Sequence, residues 1–134
     1  MSIKVIRSGS GIFNLTKELG RVKQFTPMLK EIGQSLEAST KLRFRTSDDP
    51  QGQEWIPSKR VIRQGKGRTL VETGRLQKSI SYSADSFEVN IGTDVEYAAK
   101  HQQGLDGLPK REFLGISAKD EQEIERIVQK HIEG

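Results

Sequence analysis

The spacing of apolar residues changes twice along this chain, and that change limits the folds open to it. Leu29, Ile32 and Leu36, continued by Thr40, recur every three or four positions, the repeat of a helix that buries one side. Ile80, Tyr82 and Ala84, then Phe87, Val89 and Ile91, recur every second position, as strands with one covered face do. Ile124, Ile127, Val128 and Ile132 return to helical spacing. Strands grouped between helices, rather than alternating with them, predict an α+β fold. It should hold a small antiparallel sheet packed with a long helix in the N-terminal half and a C-terminal amphipathic helix.

Local signals sharpen the boundaries. Thr26 suits an N-cap and Pro27 a first helical position, which predicts a helix running to Phe44 or Arg45. Ser117 followed by Asp120 is a near capping box for the last helix. Asp85 and Ser86 sit where a hairpin should turn, and Ile3 and Val5 suggest a short strand. Leu76 and Ile80 fit one helical turn as well as the start of the alternating run. Residues 97–103 read as helical or turn-like and end at Gly104, while Leu15, Leu19 and Val22 suggest a short helix over 13–22. Between 46 and 69 the periodicity vanishes, and a mobile loop is expected there. The chain reads as a single domain over 1–134, with residues 1–25 as an N-terminal arm and short helix.

The core should be lean. Hydrophobic residues make up 33% of the 134 and aromatic residues 6%, below the usual share for a soluble domain. Neighbouring subunits are therefore expected to supply part of the stability. Twenty-two basic residues interleaved with 18 acidic ones leave a net charge of +4, which permits nucleic-acid binding without arguing for it. Cysteine is absent, so disulfides and thiolate metal sites are excluded. No apolar run is long enough to span a bilayer or to form a signal peptide, and the chain is expected to stay in the cytoplasm, away from membranes.

Tests for chemistry return little. Ser79, His101 and Asp94 can be written as a triad, but nothing gives Ser79 a strained elbow or an oxyanion hole. His131 sits near a helix C-terminus, where a cation is favoured. No metal-ligand spacing occurs, and no cofactor or small-molecule substrate is expected. Gly65, Lys66 and Gly67 lack the spacing of a phosphate-binding loop. Lys59, Arg60, Arg63, Lys66 and Arg68 come without an intervening acid, and such a loop is able to touch a DNA backbone. Trp55, beside Ile56 in a polar, proline-bounded stretch, has two open readings: core plug or interface anchor.

Four phrases in order, from about residue 27 onward, resemble the phage virion morphogenesis family, which includes tail-completion proteins of P2-like and Mu-like contractile-tailed phages. They are Pro50-Gln51-Gly52-Gln53-Glu54-Trp55; Thr73-Gly74-Arg75-Leu76-Gln77-Lys78-Ser79-Ile80; Gly92 with Tyr97-Ala98 and His101-Gln102-Gln103-Gly104; and Pro109-Lys110-Arg111-Glu112-Phe113-Leu114-Gly115. The resemblance implies a non-enzymatic virion component, encoded by a phage or a prophage. It would act late in assembly, in the tail or neck region where tail meets head. Its partners would be copies of itself in a ring and other tail or neck proteins. Trp55, Ile56, Lys59, Arg60 and Arg63 would then order on docking. Tyr97, His101 and Gln102, with Arg111, Phe113, Leu114 and Gly115, would hold the sheet edge and the last helix in place.

Overall fold

The computed structural model describes residues 2–7, 25–56, 74–85, 88–105, 107 and 109–133. In chain order these form strand β1 (Ser2–Arg7), helix α1 (Phe25–Thr46), a single helical turn α2 (Arg75–Ser79), strands β2 (Ser81–Ala84) and β3 (Glu88–Gly92), short helix α3 (Ala98–Gln103) and helix α4 (Ala118–Glu133). The architecture is α+β, with α1 lying across a sheet and α4 packed along α1.

The sheet has three antiparallel strands in the order β1-β3-β2. On one side Ser81 pairs with Gly92, Tyr82 with Ile91 and Ala84 with Val89. On the other Ser2 pairs with Gly92 and Ile3 with Ile91, and the register slips between Lys4 and Ile6. This slip is a bulge, which bends an edge strand. The period-two reading is realised where it can be followed: Val89 and Ile91 are buried, and Tyr82 and Ala84 pack against the same core, while Ser86 and Phe87 lie outside the described residues. Leu76 and Ile80 are both buried, with Leu76 in α2 and Ile80 capping it. The turn therefore delivers its apolar residue to the core before the alternation begins.

Helix α1 is 22 residues long, about 33 Å. Met28, Leu29, Ile32, Leu36 and Phe44 are buried on its inner stripe, each contributing about 1.5–3 kcal/mol by leaving water. Gly33 lies where the helix passes under the sheet. A β-carbon there would sit 2.3 Å from the Tyr82 ring, so only glycine lets the two layers meet at this distance. Thr40 turns its hydroxyl onto the Leu36 carbonyl at 2.7 Å, which satisfies a buried polar group within the stripe.

Helix α4 brings Ile124, Ile127 and Val128 to α1. The near capping box closes: the Asp120 amide donates to Ser117 Oγ, and the Ser117 amide donates to Asp120 Oδ2, both at 3.0 Å. At its other end His131 Nε2 meets Glu31 Oε2 at 2.9 Å, and Lys130 pairs with the same carboxylate. Those hydrogen bonds, Lys130 first, hold the Glu31 carboxyl below its ordinary range.

The segment after α1 departs from expectation. Residues 47–56 are folded: the Asp49 carboxylate accepts from the Gln51 and Gln53 amides at 2.9 Å each. Gly52 supplies the positive φ of +86° that this turn needs. Asp48 bridges Glu54, and the Trp55 amide returns to the Ser47 carbonyl at 2.7 Å. Turn chemistry here builds structure rather than slack. The rest of the expected loop, from 57 to 69, and the short helix over 13–22 lie outside the described residues.

Candidate functional site

Three of the four phrases that set this chain apart meet at one place, the backbone of residues 111–115. Three side chains from three other regions hold it. Trp55 Nε1 donates to the Glu112 carbonyl at 2.8 Å. Arg43 Nη1 donates to the Phe113 carbonyl at 2.7 Å. Gln102 binds as a strand neighbour would: its Oε1 accepts from the Phe113 and Leu114 amides at 3.0 Å each, and its Nε2 donates to the Leu114 carbonyl at 2.9 Å. From its own end, the Arg111 amide donates to the His101 carbonyl at 2.7 Å, and Arg111 Nε donates to the Ile56 carbonyl at 2.8 Å. A segment without regular structure thus has its buried polar groups met by side chains.

Beneath these bonds is an aromatic cluster. The Phe44 ring stands 5.6 Å from Trp55 in an edge-on arrangement and 5.6 Å from Phe113, contacts worth about 0.5–1.5 kcal/mol each beyond burial. Arg43 crosses from this cluster to α4, where its Nη2 meets Asp120 Oδ2 at 2.7 Å. Both partners are almost wholly enclosed. Asp120 therefore closes the α4 cap and neutralises Arg43 with the same oxygen. Burial pushes the Arg43 guanidinium below its ordinary range, and Asp120 opposes the shift.

Two glycines permit the crossing. Gly115 sits so close to Pro50 that an added β-carbon would lie 2.6 Å from its ring. Gly104 ends α3 with φ of +70°, and a β-carbon there would meet the Lys110 backbone at 3.0 Å. Pro109, half-buried, leads into the held segment, and Leu114 is buried within it.

The expected interface residues divide accordingly. Trp55, Arg111 and Phe113 are buried against their own chain, and Tyr97, His101 and Gln102 are half-buried. Between the two readings of Trp55, the core plug is the one the geometry draws. Ile56 is 60% exposed and faces outward. Tyr97 lies between the Arg75 guanidinium, 5.7 Å from its centroid, and the His101 ring at 6.0 Å. Lys59, Arg60, Arg63 and Thr73 lie outside the described residues. Gly74 has φ of +71° ahead of α2, and Gly92, like Val89, Asn90 and Ile91, pairs with both edge strands. Ser79 Oγ donates to the Leu76 carbonyl at 2.6 Å and can then accept from Thr93 Oγ1 at 2.5 Å. The contacts of Ser79 are thus local, and none joins it to His101.

Arg43 and Phe44 carry much of this arrangement and, like Gly33 under the sheet, were not singled out by sequence reasoning. For Arg43 the available signal was a cation on the apolar stripe of α1, three residues beyond Thr40. Among the described residues no group of carboxylates and histidines is arranged to hold a metal ion, and no helix is long and apolar enough to cross a membrane.

A family model described as the phage virion morphogenesis family matches residues 12–133. The Mu-like prophage FluMu G protein 2 of Haemophilus influenzae is 30% identical over 130 residues, which cover 89% of this chain and 89% of that one. No solved structure matches.

Proposed function

We propose a late place in particle assembly for this chain, which belongs to the phage virion morphogenesis family. From that membership, its work lies in building a phage particle. The finer reading is a structural part, not an enzyme, that completes or caps the tail at the end meeting the head and so permits head–tail joining. It would act as a ring-like homo-oligomer in the neck, alongside other tail or neck proteins. Rings arise when one patch on a subunit binds a different patch on the next and the rotation closes.

The observation that carries this reading is the use to which the shared phrases are put. Trp55 and Gln102, joined by Arg43, each bond to the 111–115 backbone, which suits residues that shape a docking surface. A residue that works on a substrate keeps a reactive group presented to it, and Ser79 has its hydroxyl engaged on both sides.

Imaging of particles made without this protein tests the proposal. Full heads and finished-length tails that remain separate are the expected result, restored by supplying the protein to the extract. Absent tail tubes would move its action to an earlier step, and normal particles would overturn the reading.

A further inference from the structure

Arg111 is only 5% exposed, yet among the described residues its side chain has one partner, the Ile56 carbonyl on Nε. No carboxylate among the described residues pairs with it, although the comparably buried Arg43 has Asp120. His101 Nδ1 is the one fully enclosed side-chain nitrogen or oxygen that lacks a partner among the described residues. The terminal nitrogens of Arg111, which also lack one, must therefore reach the surface. Arg111 has an enclosed stem and an uncompensated guanidinium edge at the rim. A buried charge is normally paired, and this one is half provided for.

Its surroundings are those of a protein contact. Ile56 beside it is 60% exposed, and Leu105, next to the glycine packed on the Lys110 backbone, is 44% exposed. Lys110 is itself paired with Glu112 at 3.8 Å. Burial, and secondarily the Arg111 charge, depresses the His101 pKa, so His101 adds no competing charge at neutral pH. An arginine with an apolar rim and few free charges around it among the described residues has the composition of an interface centre.

The same chain carries a matching unpaired group. Glu121 and Glu125 are exposed four residues apart on α4, with no cation bound to either among the described residues. Nearby acids are taken: Glu123 by Arg126 at 2.7 Å and Glu31 by Lys130. Two like charges at this spacing repel along a helix, and a guanidinium fork is the group that best receives a carboxylate.

Resting on the ring-assembly reading, we infer that Arg111 of one copy receives a carboxylate from the Glu121 and Glu125 face of α4 on a second copy. The contact is heterologous, a basic socket on one patch and an acidic helix face on another, as ring closure requires.

Sedimentation velocity on the purified full chain, across protein and salt concentration, tests the contact. The double variant Glu121→Gln, Glu125→Gln keeps good helix formers at exposed positions, so its fold is preserved. Its self-association should weaken at least about 30-fold, the effect of removing one partner from a desolvated charge pair. Arg111→Met should weaken it to the same degree, and combining the variants should add little further. Unchanged association in the glutamine variant overturns the inference, as does a wild-type chain that stays monomeric at every concentration reached. Binding to duplex DNA that Arg111→Met abolishes, with association intact, overturns it in favour of a phosphate partner. Any of these results leaves the particle-imaging test of the assembly role standing by itself.

Discussion

Arg43 and Arg111 lie at opposite ends of the same junction and are equally enclosed, at 5% exposure each. Arg43 sits deep between α1 and α4 and has a carboxylate and a carbonyl as partners. Arg111 has a single carbonyl. Burial pushes both guanidinium groups below their ordinary range, and only for Arg43 does a neighbouring acid oppose it. The difference separates two uses of a costly residue. One charge is balanced inside the subunit and serves its fold. The other is balanced nowhere among the described residues and is available to a second molecule.

The largest effect should come from unbalancing the deep pair. Arg43→Met leaves Asp120 enclosed without its counter-charge and should cost about 3–5 kcal/mol in urea unfolding. The same change at Arg111 removes one hydrogen bond and strands no acid, so the isolated subunit should lose about 1 kcal/mol. Equal losses at the two sites would erase the distinction. Ser117→Ala removes the cap that accepts from the Asp120 amide and should lower stability by about 1 kcal/mol. If Asp120 relies on that cap to face Arg43, combining it with Arg43→Met should cost less than the two separate losses together.

The smallest effect is at the far end of α4. Glu31 is held below its ordinary pKa by Lys130 and His131. Its contribution is therefore complete above the unfolded carboxylate value and is lost as pH falls through the lower folded value. Glu31→Gln should flatten that acid limb in a pH series of thermal melts, by less than about 1 kcal/mol.

How much of this was legible beforehand depends on the distance between partners. The period change at Ile80 and the stripe from Leu29 to Leu36 depend on near neighbours, and they led to the right layers. Ser117 and Asp120 are three residues apart and announced their cap. Arg43 and Asp120 are separated by 77 positions, and no local pattern marks such a pair. Residues 47–56 were expected to be mobile because nothing there repeats. Their order comes from carboxylate-capped amides at Asp49 and from an indole that reaches Glu112, contacts that leave no periodic trace. Gly33 reads as a flaw in a helix until Tyr82 is placed above it.

The span between Arg43 and Asp120 also bears on timing during synthesis. The arginine leaves the ribosome long before the aspartate, and until then the inner face of α1 carries a cation with no acid to meet it. The nascent chain cannot finish its first long helix against a complete core while the last helix is still unmade. The buried pair, and the junction it closes, therefore form only after α4 has been made.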